Sequence, residues 1–236
     1  MKKLLNTLYL TQDNFYLTRE RDNIVIKQEG AVVHRFPYRI IYGIVCFSYL
    51  GASPSLIELC AKNQINLSFH TPQGRFCGRF VGPANGNVLL RRQQYRLADN
   101  DLSLAYAKRF ILAKISNARK YLLRFRRDHR AKINQQLFEE VNTELTFALE
   151  MVATARDKDT LLGIEGQAAN HYFRAFNDLV LTDKQTFQFK GRTRRPPQDC
   201  VNALLSFGYS MLTYECQSAL EAVGLDSYVG FYHTDR

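Results

Sequence analysis

Hydrophobic positions along this chain change their period once. Up to about residue 86, short runs of aromatic and β-branched residues alternate with turn-prone clusters. LLNTLYL, NFYLTRE, NIVIKQEG and AVVHRFPYRI are separated by Gln12-Asp13-Asn14, Arg21-Asp22-Asn23 and Glu29-Gly30, a pattern that predicts strands. SPSLIELCAKNQ interrupts the series with a short helix, for which Ser53 is a fitting cap and Pro54 a fitting first residue. INLSFHT and RFCGRFVG return to strand around the turn Pro72-Gln73-Gly74. After the loop Gly82 to Gly86 the spacing becomes helical. Leu102 to Arg127 contains neither Gly nor Pro, and Leu104, Ile111, Ile115, Ala118, Leu122 and Phe125 fall on one stripe. Further helices are predicted over Ile133 to Ala155, about Thr160 to Leu179 and about Asp199 to Val223. The layout is α+β: an antiparallel β domain over residues 1–86, then an α-helical domain over 87–236. Between the last two helices lies TDKQTFQFKGRTRRPPQ, long for a connection inside a compact helical domain, and such loops are functional or mobile.

Composition adds charge to this picture. The chain has 236 residues, 46% of them hydrophobic, and a formal charge of +10. A surplus of this size favours an anionic partner. It is concentrated between Arg91 and Lys132, where thirteen Lys and Arg face three Asp. Arg109, Lys120, Arg124 and Arg127 share a stripe away from the apolar one, and Lys108 and Arg119 lie on the same helix. A helix lined this way can follow a phosphate backbone. The alternative is a solvated face; the scarcity of acidic i,i+4 partners favours nucleic acid. Lys190, Arg192, Arg194 and Arg195 form a second basic cluster, read equally well as phosphate contacts or as a charged linker. The five cysteines include no CxxC pair, which gives no support to zinc and suits reduced thiols. The N-terminal apolar stretch is interrupted by polar residues, and the longest apolar run, Ile40 to Ala52, falls short of the roughly 20 residues that span a bilayer. A soluble, cytoplasmic protein with no membrane partner is expected.

One carboxylate sits on an apolar stripe. In LLGIEGQAANHYFRAF, Leu161, Ala168, Ala169, Tyr172 and Phe176 form the inward face, and Glu165 lies within it. A buried carboxylate needs a compensating cation or hydrogen-bond donors. A metal ion would satisfy it, and so would a helix N-terminus or an arginine. His171 points off the stripe and reads as surface or structural. Glu215 occupies a similar position among Val201, Leu204, Leu205, Gly208, Met211, Leu212 and Ala219, where a structural ion pair is expected. GLDSYVGFYHTDR reads as a helix end, a turn and a short apolar strand delivering His233. Arg236 follows three residues later, so a C-terminally truncated, incomplete helical domain is expected.

The segments LLGIEGQAANHYF, GRTRRPPQDCVNALLSFGYSMLTYE and ALEAVGLDSYVGFYHTDR, in this order, resemble the CRISPR-associated integrase family. This is the larger of the two proteins that insert new spacers into CRISPR arrays during antiviral defence. The RRPP and HTDR segments resemble its type I-C branch, although Ser227 stands where members often have Pro. The resemblance implies an N-terminal β domain used for homodimerisation, a helical catalytic domain, and a small ferredoxin-like partner dimer that bridges two integrase dimers. It further implies a metal site in which Glu165 and His233 are ligands and a third, acidic ligand lies beyond Arg236. The implied reaction is metal-dependent phosphoryl transfer. A 3′ hydroxyl of the protospacer, a double-stranded DNA, attacks a phosphate at the edge of the CRISPR repeat, assisted by Mg²⁺ or Mn²⁺. Arg192, Arg194 and Arg195 would face phosphates near the ion, and the helix from Lys108 to Arg127 would carry duplex farther out. Tyr209 and Tyr214 are read as structural or DNA-contacting groups rather than nucleophiles. The rival expectation is a non-catalytic DNA-binding or assembly module.

Overall fold

A computed structural model describes residues 6–80, 82 and 87–233. The chain divides into two units. One holds residues 1–87 with 217–224, the other 88–216 with 225–236.

The first unit has two sheets and one helix. Strands β2 (Phe15–Glu20), β3 (Asn23–Gln28) and β4 (Ala31–Pro37) form an antiparallel meander. Its second hairpin turns on Glu29 and Gly30, both at positive φ (51° and 83°). A two-residue turn with that backbone matches the twist of the flanking strands, and Gly takes the conformation at no steric cost. The second sheet contains β1 (Asn6–Leu10), β5 (Ile41–Cys46), β6 (Asn66–His70) and β7 (Phe76–Phe80) in that spatial order. The antiparallel expectation holds for β2–β4 and for β6–β7. β1, β5 and β6 run parallel: the β2–β4 meander is the connection from β1 to β5, and α1 (Pro54–Asn63) is the crossover from β5 to β6. The Ser53 hydroxyl caps α1 by accepting from the Leu56 N–H (3.3 Å), with Pro54 at the first turn. Leu10, Leu17, Ile24, Ile44, Leu56 and Leu67 form the core. Strand β4 is an edge, exposed along nearly its whole length, with Val32 and Val33 outward.

The second unit is helical. It contains α2 (Val88–Ala98), which the sequence pattern left unassigned, α3 (Leu102–Asp128), α4 (Gln135–Thr154) and α5 (Lys158–Arg174). The predicted α3 stripe is buried at Ile111, Ile115 and Leu122, and Leu104 and Phe125 are partly covered. Asn134 and Asp157 cap α4 and α5, accepting from the Leu137 and Thr160 N–H groups (3.1 and 2.7 Å). Helix α5 stops at Arg174, and a 3₁₀ turn continues it over Phe176–Leu179.

The last helix, α6 (Cys200–Ala222), departs from expectation. Only Val201 and Asn202 are buried on it. Leu204 and Leu212, read as inward-facing, are 60% and 59% exposed. They line an open apolar groove of about 660 Å³ with Phe176, Leu179 and Phe187. The stripe is present and Val201 on it is buried, but Leu204 and Leu212 stay largely exposed. No helix among these residues is long and apolar enough to cross a membrane.

Candidate metal and nucleic-acid site

Glu165 is the eighth residue of α5, too far along to cap the helix, and Asp157 does that work instead. Its neighbours on the same face, Leu161, Ile164 and Ala168, are buried against α3 and α4. Packing therefore holds the carboxylate inward, with 17% of the side chain exposed. The compensating cation comes from α3: the Lys114 ammonium lies 2.5 Å from Glu165 Oε1. Desolvation pushes the Glu165 carboxyl upward. The Lys114 hydrogen bond and charge, with smaller help from Tyr232 and His233, outweigh it and hold the group below its ordinary value. Glu165 is thus an anion at neutral pH.

The C-terminal segment reaches this carboxylate without forming the expected strand. Residues 225–233 are turns and bends, because their polar backbone is satisfied by a side chain rather than by a neighbouring strand. Gln94 of α2 is buried. Its amide nitrogen donates to the Asp226 and Val229 carbonyls (2.7 and 3.0 Å), and its oxygen accepts from the Asp226 N–H (2.9 Å). Phe231 stacks on Tyr106 at 5.2 Å. Tyr232 packs into the helical core, its hydroxyl against Glu165 but without a well-formed hydrogen bond. Burial, then Glu165, pushes the Tyr232 hydroxyl pKa upward. His233 follows, exposed and close enough for its charge to act on Glu165. Thr234 to Arg236 lie outside the described residues.

Glu165 and Lys114 border a cavity of about 250 Å³, with Tyr172, Tyr209, Arg192 and Arg194 on its wall. Burial pushes the Tyr172 hydroxyl up to about 12, so it stays protonated. The Arg192 guanidinium lies over the Tyr209 ring, 5.7 Å from its centre. A compact cationic arc therefore borders one carboxylate, and the His233 imidazole lies near enough to that carboxylate for its charge to act on it. Such a donor pair fits a divalent ion by type, although among the described residues no group of three His, Cys, Asp or Glu gathers.

The other basic residues are distributed differently from their sequence stripe. Lys108 donates to the Ala153 carbonyl (3.0 Å) and Arg119 to Asn142 Oδ1 (2.9 Å), both on α4. Arg124 and Arg127 pair with Asp128 at 3.6 and 3.0 Å, so an acidic i,i+4 partner is present after all. Arg109 lies over Tyr106. Lys120, Lys190 and Arg195 are exposed. His171 bridges to Glu144 at 2.8 Å, the structural role expected of it. Glu215, half-buried, makes no ion pair among the described residues, contrary to expectation. Sequence reasoning missed Lys114 as the partner of Glu165 and Gln94 as the clasp of the C-terminal segment. The signal for Lys114 was present in the unmet charge on the α5 stripe; nothing local marked Gln94.

Comparison with known proteins converges on one family. The family model described as CRISPR associated protein Cas1 matches residues 8–236. A CRISPR-associated endonuclease Cas1 of Chlorobaculum tepidum is 42% identical over 237 residues, covering 100% of this chain and 69% of the relative. A casposase bound to integration product has TM-score 0.77 and 25% identity, over 98% of this chain and 66% of that one. A Cas6-RT-Cas1–Cas2 complex has TM-score 0.75 and 25% identity, over 100% of this chain but 25% of that one.

Proposed function

This chain belongs to the CRISPR-associated Cas1 family, and on that premise we propose that it joins a DNA 3′ end to a phosphate of a CRISPR repeat, with Glu165 and His233 holding a divalent ion. The observation that supports this reading is an ionised carboxylate, Glu165, on the wall of a cavity that Lys114, Arg192 and Arg194 also line, with His233 near enough to act on its charge. Bound Mg²⁺ or Mn²⁺ would supply Lewis acidity at the scissile phosphate. Glu165 contributes a fixed negative charge at the cavity wall. Lys114 and the two arginines offset phosphate charge, and the Tyr172 and Tyr209 rings border the space a strand end would enter. Lys120, Lys190 and Arg195 extend the positive surface outward. DNA enters this reading from the casposase neighbour's integration product, and a Cas2 partner from the neighbouring Cas6-RT-Cas1–Cas2 complex; that the partner is a small ferredoxin-like dimer is what the family resemblance implies.

The test is DNA nicking and joining on branched duplex in Mn²⁺. Glu165→Ala and His233→Ala should each abolish product while retaining near-wild-type DNA affinity. Joining by Glu165→Ala at the wild-type rate would remove the assignment. A non-catalytic DNA-binding module is the second reading, favoured by Lys114 already neutralising Glu165; it predicts no product from any variant. For the homodimer that the family resemblance implies, β4 is the surface we propose, because an exposed edge of this kind can pair with another chain. Val33→Lys should convert a sedimenting dimer into monomers, and an unchanged dimer would locate the interface elsewhere.

A further inference from the structure

Arg192 is held by one buried side chain. Asn202, in the first turn of α6, is completely buried and ties Gly191, Arg192 and Thr193 to Asp199 across the loop before it. Its amide nitrogen donates to the Gly191 carbonyl (2.7 Å) and to Asp199 Oδ2 (2.6 Å). Its oxygen accepts from the Thr193 N–H and from Arg192 Nη1, both at 2.9 Å. A primary amide can donate twice and accept twice, so all four capacities are used and the orientation of the group is fixed. Asp199 in turn accepts from the Asn202 N–H (2.7 Å), and Thr193 Oγ1 accepts from the Gln198 N–H (3.0 Å). A loop rich in exposed cations would otherwise hold its arginines in many rotamers.

The way Arg192 is gripped leaves a particular edge free. Nη1 spends its two protons on Asn202 and the Thr193 carbonyl (2.6 Å). Among the described residues Nη2 makes only a long contact to the Ser206 hydroxyl (3.4 Å), and Nε makes none. The Nε–Nη2 edge is the side of a guanidinium that binds a phosphate with two parallel hydrogen bonds. Arg192 also borders the cavity that holds Glu165.

We infer that Asn202 is a positioning residue: it locks Arg192 so that the Nε–Nη2 edge grips a phosphate of the DNA strand entering the Glu165 cavity. This rests on the reading of that cavity as a DNA site. Asn202 carries no charge and is buried, so its effect on DNA must pass through the groups it holds, of which Arg192 is the one charged side chain it bonds that borders the cavity.

The test measures binding of the whole chain to a short DNA duplex with a single-stranded 3′ extension, in chelator, across a salt series. Arg192→Ala should weaken binding about tenfold, the scale of one charge-assisted contact, and flatten the log–log salt slope by about 0.9 for duplex or about 0.7 for a single strand. Asn202→Ala should flatten the slope by nearly the same amount although it removes no charge. The double variant should be no weaker than Arg192→Ala alone, since the two substitutions remove one contact. If Asn202→Ala weakens binding but keeps the wild-type slope, or adds fully to Arg192→Ala, the positioning role is refuted. Should Asn202→Ala fail to fold, Arg192→Lys decides the matter, because lysine keeps the charge but cannot present the fork. Persistent loss in Arg192→Lys supports the proposal, and full recovery overturns it. If Arg192→Ala itself binds like wild type, the DNA reading of the cavity fails at this residue and takes the proposal with it.

Discussion

Two helices of this protein carry a glutamate on an apolar stripe, and they met different ends. On α5 the stripe is closed by α3 and α4, and Glu165 is drawn inward to face Lys114, Tyr232 and His233. On α6 the stripe is open from Leu204 to Leu212, and Glu215 makes no ion pair among the described residues. The two patterns are nearly interchangeable on paper. What separates them is whether other elements arrive to cover the face, a property of topology rather than of the helix. A carboxylate becomes chemically informative only when burial forces something to compensate it.

The largest expected contrast is catalytic. Glu165→Ala should lower DNA joining by at least about a hundredfold, the scale of removing an electrostatic stabiliser from a closed site. Glu215→Ala should leave the rate within error. Equal losses at the two positions, measured by initial rates in Mn²⁺, would erase the distinction between the helices.

Stability should divide along the same line. Leu161 is wholly buried beneath Glu165, and Leu161→Ala should cost about 2–5 kcal/mol by leaving a cavity. Leu212, 59% exposed, has little to lose: Leu212→Ala should stay within about 0.5 kcal/mol. Urea titration of both variants checks this. A large cost at Leu212 would show that the α6 groove is covered in solution, which is itself a sharper statement of the comparison.

These contrasts explain what the sequence could and could not carry. The change of period near residue 86, the Ser53-Pro54 helix start and the inward face of α3 follow from local rules, and they appear where expected. Glu165 stood out because a charge on an apolar stripe violates those rules. The strand order did not follow, since parallel pairing of β1, β5 and β6 depends on where the β2–β4 meander and the α1 crossover return the chain. The bond partners of the site were equally hidden. Gln94 and Asp226 are 132 residues apart, and Lys114 and Glu165 are 51 apart. Periodicity describes which face is apolar and is silent about which distant residue meets it. For the same reason the basic residues of α3 looked alike, while the fold turns Lys108 and Arg119, which lie off the Arg109–Lys120–Arg124–Arg127 stripe, toward α4.

The Lys114–Glu165 pair should leave a signature in pH. Burial raises the Glu165 carboxyl, but Lys114 reverses the effect and holds it below its ordinary value. A carboxyl depressed in the folded state stabilises the fold above its ordinary pKa, and that contribution disappears as pH falls through the folded value. In Lys114→Met burial is opposed only by the smaller influences of Tyr232 and His233, and the carboxyl moves upward. The variant should therefore be less stable than wild type near pH 7, with the gap closing between about pH 5 and 3. Denaturation midpoints across that range test it, and a gap independent of pH would mean that Lys114 matters only for packing.

The smallest effects separate the two kinds of basic residue on α3. Lys108 donates to the Ala153 carbonyl in the last turn of α4, where backbone oxygens lack partners and a cation meets the negative end of the helix dipole. Lys120 is exposed with no partner among the described residues. If both simply enriched a positive surface, their alanine variants would act alike on DNA. The geometry predicts a crossing instead. Lys108→Ala should lower stability by about 0.3–1 kcal/mol and leave the salt dependence of DNA binding unchanged. Lys120→Ala should leave the melting midpoint unchanged and reduce the log–log salt slope by up to about 0.9, one phosphate contact on duplex DNA. A slope change for Lys108→Ala matching that of Lys120→Ala would mean that the α4 contact is given up when DNA binds, and that the whole stripe, not its free members, follows the backbone.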